Sequence, residues 1–356
     1  MTAPADADLR ARVGKALEGF VDRQRVRLDE VGEELREVSG ALDELLSGGK
    51  RLRPSFCWWG ARGSGLADSD ELVTAAASLE LLQACALVHD DVMDGSDIRR
   101  GRPAAHRRFA TLHRSNGWLG DGEGFGESAA ILLGDLCLIW AEQMLDESGL
   151  PADALTRARP VVDEMRVELM AGQYLDLLEQ ARGPTGPAAV ESALRVTRYK
   201  SAKYTIERPL HLGAALAGAG PEVFAACTAY GLPLGEAFQL RDDVLGVFGD
   251  PCQTGKPNGD DLREGKRTVL VAEALARADP RQAAVVRSLL GDPHLDGDGI
   301  ARLREVIDET GARAAVEELI NRRAEEARAA AGSAPLTAEA RGALTDLVAA
   351  ATARSL

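Results

Sequence analysis

The chain has 356 residues, a net charge of −14 at pH 7 and 4% aromatic residues. This length allows one large domain or two smaller ones. The acidic balance argues against a general nucleic-acid surface, so an anionic substrate would require basic residues gathered locally. The five cysteines are scattered and lack the spacing of a zinc site, which favours free thiols in a reducing cytoplasm.

Apolar residues recur at helical spacing through most of the chain, and strand-like alternation of β-branched residues is scarce. This pattern predicts an all-α bundle, with a first helix over residues 6–39. The amino terminus, MTAPADADLRAR, has no apolar core after a basic start, so we expect no secretory signal. The most apolar runs, Val73–Val88 and Ala130–Ala141, are interrupted by polar residues, so we also expect no transmembrane segment.

The first segment with chemical interest is SGGKRLRP, residues 47–54. Paired glycines let a backbone approach a ligand closely, and three cations in four residues could bind a phosphate. A nucleotide P-loop is set aside, because no glycine lies five residues before Gly49 and Arg51 follows Lys50 where Ser or Thr is required. Taken alone, the segment is more typical of a charged turn than of a phosphate site.

A helix is expected over residues 69–94. The stretch LLQACALVHDDVMDGSDIRRGRPAAH, residues 81–106, joins its apolar run to acidic and basic clusters. On a helix Asp90 and Asp94 point the same way, while Asp91 lies about 100° around the axis. Stacked carboxylates suit Mg²⁺, which completes its shell with water and substrate phosphate. Arg99 and Arg100 then add guanidinium groups suited to diphosphate. The stretch indicates a metal–diphosphate site, with a solvated acidic helix end as the alternative.

A second acidic cluster occurs in FQLRDDVLGVFGD, residues 238–250. Gln239, Asp242 and Asp243 repeat the order of residues found in the first stretch, again after an apolar helical run. Gly246 stands where a second stacked carboxylate would be, so we expect weaker metal binding here. A matched pair of clusters predicts that both face one cavity.

Five other segments complete the pattern. We expect a mobile surface loop at residues 115–128, and then helices at 129–147 and 152–180. The second helix carries Glu168, Gly172, Gln173 and Asp176 on neighbouring turns. YKSAKY, residues 199–204, is expected to place two lysines near a helix end. PCQTGKPNGDDLREGKRT, residues 251–268, is expected to be a closing loop or an ordinary polar turn.

In order, these motifs resemble those of trans-isoprenyl diphosphate synthases, the polyprenyl synthetase family, from about Gly48 to Lys266. The similar segments are GGKRLRP, DDVMD with two arginines, the GQ–D segment, YKSA, and FQLRDD with a downstream TGK and EGK. The chain is most similar to bacterial geranylgeranyl diphosphate synthases. The resemblance implies a single isoprenoid synthase domain over residues 1–356, an antiparallel helical bundle around a central cavity. Its motifs fall within 48–266, and 267–356 supplies packing helices.

The resemblance also implies roles for individual residues. The expected ligands of three magnesium ions per site are Asp90, Asp94 and Asp242, with Asp91 and Asp243 as supporting catalytic acids. The expected allylic diphosphate ligands are Arg99, Lys200 and Lys256, with Lys266 nearby and Ser201 as a further substrate-binding residue. The residues that match the isopentenyl diphosphate site are Lys50, Arg53, Gln83 and Arg100. Gln239 and Asp261 match positions that shape the allylic and metal region, while His89 receives no catalytic role.

The implied reaction joins isopentenyl diphosphate to an allylic diphosphate. Magnesium stabilises the charge that grows as the allylic carbon–oxygen bond breaks, and the double bond of the second substrate attacks the cation. In this family, the positions five and four before the first aspartate limit chain length when aromatic. They are Cys85 and Ala86 here, so geranylgeranyl diphosphate is expected. Longer polyprenyl products are the alternative, with Leu79 and Leu82 as a partial floor.

Three other functions stay open at this point. A class I terpene cyclase would share the bundle and the first aspartate motif, but Lys50, Arg53 and Arg100 would have no purpose. A His-Asp phosphohydrolase would use His89 and Asp90 and leave both aspartate pairs unexplained. A non-catalytic prenyl-binding subunit would not need the intact carboxylates and lysines. The resemblance further implies a homodimer.

Overall fold

The computed structural model describes residues 4–182, 188–249 and 259–352, without the side chains of residues 4–7. Within these ranges the regular structure is helical apart from one short hairpin, β1 (Ile98–Arg99) paired antiparallel with β2 (Arg102–Pro103). The predicted all-α class is confirmed. The chain divides into two compact units, unit 1 (Met1–Trp58 and Leu66–Thr156) and unit 2 (Trp59–Gly65 and Arg157–Leu356). The single domain over residues 1–356 stays a prediction.

Unit 1 contains most of the first half of the chain. Its helices are α1 (Pro4–Val31), α2 (Arg36–Leu46), the start of α3 (Leu52–Gly63), α4 (Asp70–Asp94), α5 (Ala105–Ser115), α6 (Gly122–Asp146) and the start of α7 (Ala152–Arg182). The single first helix expected over residues 6–39 is wrong. The chain leaves the helix at Gly32, which has an extended backbone, and then makes a short 3₁₀ turn at Glu33–Leu35. Glycine is a poor helix former, which accounts for the break.

Helix α4 begins and ends at residues that cap it. The Ser69 side chain accepts a hydrogen bond from the Leu72 amide, and Gly95 ends the helix in the left-handed conformation with φ 66°. Nearly every side chain from Leu72 to Cys85 is buried. The helix packs mainly on α6, with the His89 ring against Gly134: a Cβ at Gly134 would lie 2.2 Å from His89 Nε2.

The predicted mobile loop at residues 115–128 is only partly a loop. Asp121 accepts hydrogen bonds from the amides of Glu123 and Gly124, so α6 begins at Gly122 and includes the second half of that segment. An N-cap carboxylate overrides the low helix propensity of the glycines that follow it. The helix expected at 129–147 is therefore about two turns longer at its amino-terminal end.

Unit 2 contains the rest of the described chain. Its helices after α7 are α8 (Ala189–Val196), α9 (Arg208–Leu216), α10 (Pro221–Phe248), α11 (Asp260–Arg263), α12 (Val269–Arg277), α13 (Pro280–Leu289), α14 (Gly297–Glu309), α15 (Ala312–Ser333) and α16 (Ala338–Thr352). Thr197–Glu207 is a π-helix that joins α8 to α9 without a break. The lysines of YKSAKY thus lie inside a continuous helical run, and the helix end expected there is wrong.

The core of unit 2 forms around α10. Its buried face, including Leu240 and Val244, belongs to one cluster with buried residues of α12, α14 and α15, such as Leu270, Ile307 and Ile320. Helices α12, α14 and α15, which follow residue 267, therefore pack around α10, and the assignment of residues 267–356 to packing stays a prediction. The four cysteines in the described residues, Cys57, Cys85, Cys137 and Cys227, are buried and form no disulfide, and Cys252 lies outside the described residues.

Two of the described helices, α4 and α6, are long and apolar enough to cross a membrane by length and composition. The apolar window of α4 is 72% buried, and that of α6 is 44% buried. A core helix of a soluble protein passes the same test, so this finding is weak evidence for a span. The expected absence of a transmembrane segment stays a prediction.

Candidate active site

The first acidic cluster lies at the end of α4 in unit 1. Asp91 is only 2% exposed. Arg99 Nε donates to both of its carboxylate oxygens, at 2.9 and 3.2 Å, and Arg99 Nη2 donates to the nearer one. The same Nη2 lies 3.7 Å from Asp90 Oδ2. Asp91 therefore fixes the guanidinium of Arg99 beside Asp90, which stays partly exposed, while both carboxylate oxygens of Asp94 are buried.

The hairpin after α4 explains how Arg99 reaches back to the helix. Gly95 turns the chain out of α4, and the two-residue strands β1 and β2 then place Arg99 opposite Arg102. Arg100 lies in the turn between the strands, with φ 53°. A left-handed backbone is costly for a side chain of this size. The hairpin thus presents adjacent arginines in a conformation that its local sequence alone would not favour.

Arg100 belongs to a cluster of cations around a buried carboxylate. Burial lowers the pKa of Arg100; the negative charge of Glu80 opposes that shift, and the positive charges of Arg51, Arg99 and Arg53 add to it. Three other guanidinium groups and one carboxylate therefore lie within electrostatic range of Arg100. This local positive excess, in a chain of net charge −14, is suited to a polyanion such as diphosphate.

Other contacts link Arg100 to the GGKRLRP segment. Arg100 Nη1 donates to the Leu45 carbonyl at 3.3 Å, and its guanidinium nitrogens lie 3.6 and 3.7 Å from the position of a Cβ at Gly49. Lys50 is exposed, and Arg53 is partly buried. The structure therefore brings Arg100 and the start of the GGKRLRP segment together within unit 1, and their role as one substrate site stays a prediction. Gln83, also assigned to this site, is partly buried on α4.

The predicted chain-length positions differ in their surroundings. Cys85 is fully buried, and its Sγ lies 3.8 Å from His89 Nδ1. Burial and, to a smaller degree, the nearby Cys85 thiol raise the pKa of Cys137 on α6. Cys85 thus faces α6, whereas Ala86 is partly exposed. Leu79 and Leu82, on the same face of α4 as Ala86, are buried.

The candidate diphosphate lysine of unit 2 is paired with an acid that received no role from the sequence. Lys200 Nζ donates to Asp176 Oδ2 at 2.6 Å. A Cβ at Gly172 would lie 2.4 Å from the Lys200 amide nitrogen, so only glycine lets α7 approach the π-helix this closely. The GQ–D pattern was the available signal: Gly172 and Asp176 are one turn apart and share a face of α7. Ser201, the next residue in the π-helix, is partly buried.

Glu168, one turn before Gly172, anchors the other end of the π-helix. It accepts hydrogen bonds from Lys203 Nζ at 2.6 Å, from Arg208 Nε at 2.7 Å and from Arg208 Nη2 at 2.9 Å. Burial alone would raise the pKa of Glu168, but the hydrogen bonds and charges of Arg208 and Lys203 lower it. The Lys203 ammonium group is therefore part of this buried hydrogen-bond network. π-Helical segments are frequent at functional sites.

The second acidic cluster lies at the end of α10 and on α11. Gln239 Nε2 donates to Asp243 Oδ1 at 2.8 Å. Burial raises the pKa of Asp243 to about 7, opposed by the Gln239 hydrogen bond and increased by the negative charges of Asp261 and Asp242. Lys266 Nζ lies 3.7 Å from Asp261 Oδ1. Asp242, Asp243 and Asp261 therefore crowd negative charge into one place, which a hard cation would relieve.

Gly246, where the motif lacks a carboxylate, leaves room for Asp261. A Cβ at Gly246 would lie 1.9 Å from Asp261 Oδ2. The Asp261 carboxylate thus occupies the space that a longer side chain at position 246 would need. A residue fifteen positions later in the chain fills the gap in the motif, and no local pattern predicts that contact.

The predicted magnesium ligands fit a hard cation in type, since all are carboxylates. Asp90 and Asp94 belong to unit 1, and Asp242 belongs to unit 2. Among the described residues, no group of three or more His, Cys, Asp or Glu side chains is placed to hold a metal ion. The shared cavity and the count of three ions therefore stay predictions. Lys256 lies outside the described residues.

Comparison with known proteins places this arrangement among isoprenoid enzymes. The polyprenyl synthetase family model matches residues 36–307. A geranylfarnesyl diphosphate synthase from Aeropyrum pernix is 35% identical over 280 residues, 77% of this chain and 80% of the relative. An octaprenyl diphosphate synthase from Escherichia coli is 33% identical over 283 residues, 79% of this chain and 77% of the relative.

A solved structure is similar over nearly the whole chain. It is geranylgeranyl pyrophosphate synthase from Corynebacterium glutamicum, complexed with isoprenyl diphosphate and magnesium. The two chains are 43% identical with a TM-score of 0.93, and the match covers 98% of this chain and 99% of the other. The motifs and the fold therefore point to the same family.

Proposed function

The chain belongs to the polyprenyl synthetase family and is a prenyltransferase, and we propose that it condenses isopentenyl diphosphate head-to-tail with an allylic diphosphate. The observation that carries this proposal is the arginine cluster around Glu80, which lies beside the acidic end of α4. A terpene cyclase or a phosphohydrolase acts on one substrate and has no use for this second anion site. A binding subunit would not need the carboxylates of both clusters.

Each group of residues has a distinct part in the proposed reaction. Magnesium, held by Asp90, Asp94 and Asp242 as three ions per site, would neutralise charge on the departing diphosphate. Arg99, Lys200 and Lys256 bind the allylic diphosphate, with Ser201, Gln239 and Lys266 near it. Lys50, Arg53, Gln83 and Arg100 bind isopentenyl diphosphate and orient its double bond. Asp91 holds Arg99 in place, and Asp243 is held by Gln239.

We propose geranylgeranyl diphosphate as the main product. The similar proteins carry names that range from geranylgeranyl to octaprenyl synthases, so family membership alone leaves the length open. The small side chain at Ala86, which is partly exposed on α4, supports a product longer than farnesyl diphosphate. A longer polyprenyl product is the second candidate, because Leu82 and Leu79 lie one and two turns before Ala86 on the same helix face.

The test combines isopentenyl diphosphate with dimethylallyl, geranyl or farnesyl diphosphate and Mg²⁺, and separates the products by chromatography. We expect a C20 diphosphate as the longest main product. Longer chains would support the second candidate. Cyclic hydrocarbons, phosphate release without elongation, or no turnover would contradict the proposal and favour the cyclase, the hydrolase or the binding subunit.

We further propose a cytoplasmic homodimer that uses an apolar stripe on α6. Phe125, Leu132 and Ile139 recur every seven residues and are 38%, 63% and 60% exposed. A second copy would remove this stripe from water. Leu132→Asp should therefore give monomers in size-exclusion chromatography with light scattering. The matched control is Val26→Asp, since Val26 on α1 is 61% exposed but outside the stripe. A Leu132→Asp protein of unchanged mass would contradict this interface.

A further inference from the structure

Glu80 is a buried acid that the family motifs do not explain. It lies inside the apolar run of α4 and is 6% exposed. Arg51 Nη1 donates to Glu80 Oε2 at 2.5 Å, and Arg51 Nη2 donates to the Leu46 carbonyl at 2.5 Å. The Arg51 side chain therefore joins the core of α4 to the end of α2, across the segment that carries Lys50 and Arg53.

The backbone of this segment is strained at Arg51. Its φ is 53°, and among the described residues only Arg100 is another non-glycine residue with positive φ. Gly48 and Gly49 also have positive φ, at 74° and 91°, but glycine accepts this region without strain. A strained residue persists only where its surroundings hold it. The contacts of Arg51 with Glu80 and Leu46 supply that hold.

The charges around Glu80 support the same interpretation. Its carboxylate lies within electrostatic range of Arg100, as do the guanidinium groups of Arg51, Arg53 and Arg99. Glu80 therefore pairs with Arg51 and offsets part of the repulsion that Arg100 experiences from the other three guanidinium groups, without cancelling their total charge. The cluster can stay assembled without a ligand and still attract a polyanion.

We infer that Glu80 is a positioning residue for isopentenyl diphosphate, which acts through Arg51 to hold residues 47–53 in the conformation that presents Lys50 and Arg53. The inference rests on the proposed function, because it takes this segment to be the isopentenyl site. Glu80 itself does not touch the substrate. Its loss should therefore affect one substrate and leave the other.

The test compares steady-state kinetics of Glu80→Gln and Arg51→Gly with the parent enzyme. Glutamine keeps the size of the side chain without its charge, and glycine keeps the backbone conformation without the contact. In both variants we expect KM for isopentenyl diphosphate to rise about tenfold, while KM for the allylic diphosphate and kcat change less than about twofold. Because both residues serve one contact, the double variant should be no worse than either single variant.

A matched control separates this effect from general loss of stability. Arg241 donates to both carboxylate oxygens of Glu317, at 2.6 and 2.7 Å, in unit 2. Glu317→Gln breaks a comparable arginine–glutamate pair, so it should lower Tm without changing KM for isopentenyl diphosphate. If Glu80→Gln does not fold, Arg51→Gly alone decides the question.

Several outcomes would overturn the inference. They are an unchanged or lower KM for isopentenyl diphosphate, an equal rise in both KM values, or additive effects in the double variant. Lys50→Ala separates a wrong assignment of the isopentenyl diphosphate site from a wrong role for Glu80. If Lys50→Ala leaves KM for isopentenyl diphosphate unchanged, the assignment of this site is wrong. If it raises that KM and neither Glu80→Gln nor Arg51→Gly does, only the role of Glu80 is wrong.

Discussion

Units 1 and 2 arrange charge in opposite ways at their candidate site residues. In unit 1, Arg51, Arg53, Arg99 and one buried carboxylate, Glu80, lie within electrostatic range of Arg100. In unit 2, Asp242, Asp243 and Asp261 lie together, and Lys200 is already paired with Asp176. The first arrangement suits a polyanion, and the second suits a divalent cation. The net charge of the chain therefore predicts neither site, because the sign of the charge changes from one local cluster to the next.

In each unit, acids of a single helix hold the cations in place. Arg99 and Arg51 in unit 1 are each tied to a buried acid of α4, Asp91 or Glu80. Lys200 and Lys203 in unit 2 are each tied to an acid of α7, Asp176 or Glu168. Charged groups of both units are thus oriented by a neighbouring helix before any ligand arrives. The following predictions test whether these acids have different tasks.

The largest effect should distinguish the two acids at the end of α4. Asp90→Asn should lower kcat about 10³-fold, because a proposed magnesium ligand contributes several kcal/mol of charge stabilisation. Asp91→Asn should mainly raise KM for the allylic diphosphate, about tenfold, because Arg99 loses its double hydrogen bond. Steady-state kinetics with each substrate varied will measure both. Equal losses of kcat would show that Asp91 does more than hold Arg99.

The next prediction tests whether charge, rather than packing, lets Glu168 hold the end of the π-helix. Burial would raise the pKa of Glu168, but the hydrogen bonds and charges of Arg208 and Lys203 lower it below its ordinary value of 4.5. A lowered carboxyl pKa stabilises the folded state above the unfolded pKa, and the contribution is lost as pH falls through the folded pKa. Glu168→Gln should therefore lower the free energy of unfolding by about 3 kcal/mol at pH 7 and by progressively less below pH 4.5.

Urea unfolding at several pH values measures this difference. The matched control is Asp163→Asn, at an exposed position on the same helix α7. It should change the free energy of unfolding by less than about 0.5 kcal/mol at any pH. A Glu168→Gln difference that is independent of pH would mean that packing, rather than charge, holds this end of the π-helix.

A smaller effect separates the two predicted chain-length positions. Ala86→Phe should shorten the main product, because Ala86 is partly exposed on the face of α4 that continues to Leu82 and Leu79. Cys85→Phe should instead lower stability by about 1–3 kcal/mol, because Cys85 is fully buried against His89. Radiolabelled product analysis and thermal unfolding will measure the two results. A product distribution unchanged by Ala86→Phe would remove Ala86 as the gate.

The smallest effect concerns the pairing of Lys200. Because Asp176 competes with diphosphate for the Lys200 ammonium group, Asp176→Asn should tighten the binding of inorganic pyrophosphate with Mg²⁺ about fivefold, or about 1 kcal/mol. Isothermal titration calorimetry will measure this change, and Asp163→Asn again serves as the control. Weaker pyrophosphate binding in Asp176→Asn would instead mean that Asp176 orients Lys200 toward the substrate.

Features that depend on neighbouring residues could be predicted from the sequence. Helix α4 is found one residue from its expected start and at its expected end, because Ser69 and Gly95 are local capping signals. Its acidic end and the following arginines could likewise be recognised by spacing. The all-α class follows from a periodicity repeated throughout the chain. The differences at Gly32 and in residues 115–128 also have local causes, which are a glycine that breaks the helix and an N-cap at Asp121.

The sequence by itself determined the helical class, the ends of α4 and the presence of acidic and basic clusters, because these features arise from residues within a few turns of one another. Only the tertiary structure decided that Glu80 pairs with Arg51, that Asp176 pairs with Lys200 and that Asp261 fills the space beside Gly246. Each of these contacts joins residues at least fifteen positions apart. Helix packing determines these contacts, because it brings together side chains that no spacing rule connects.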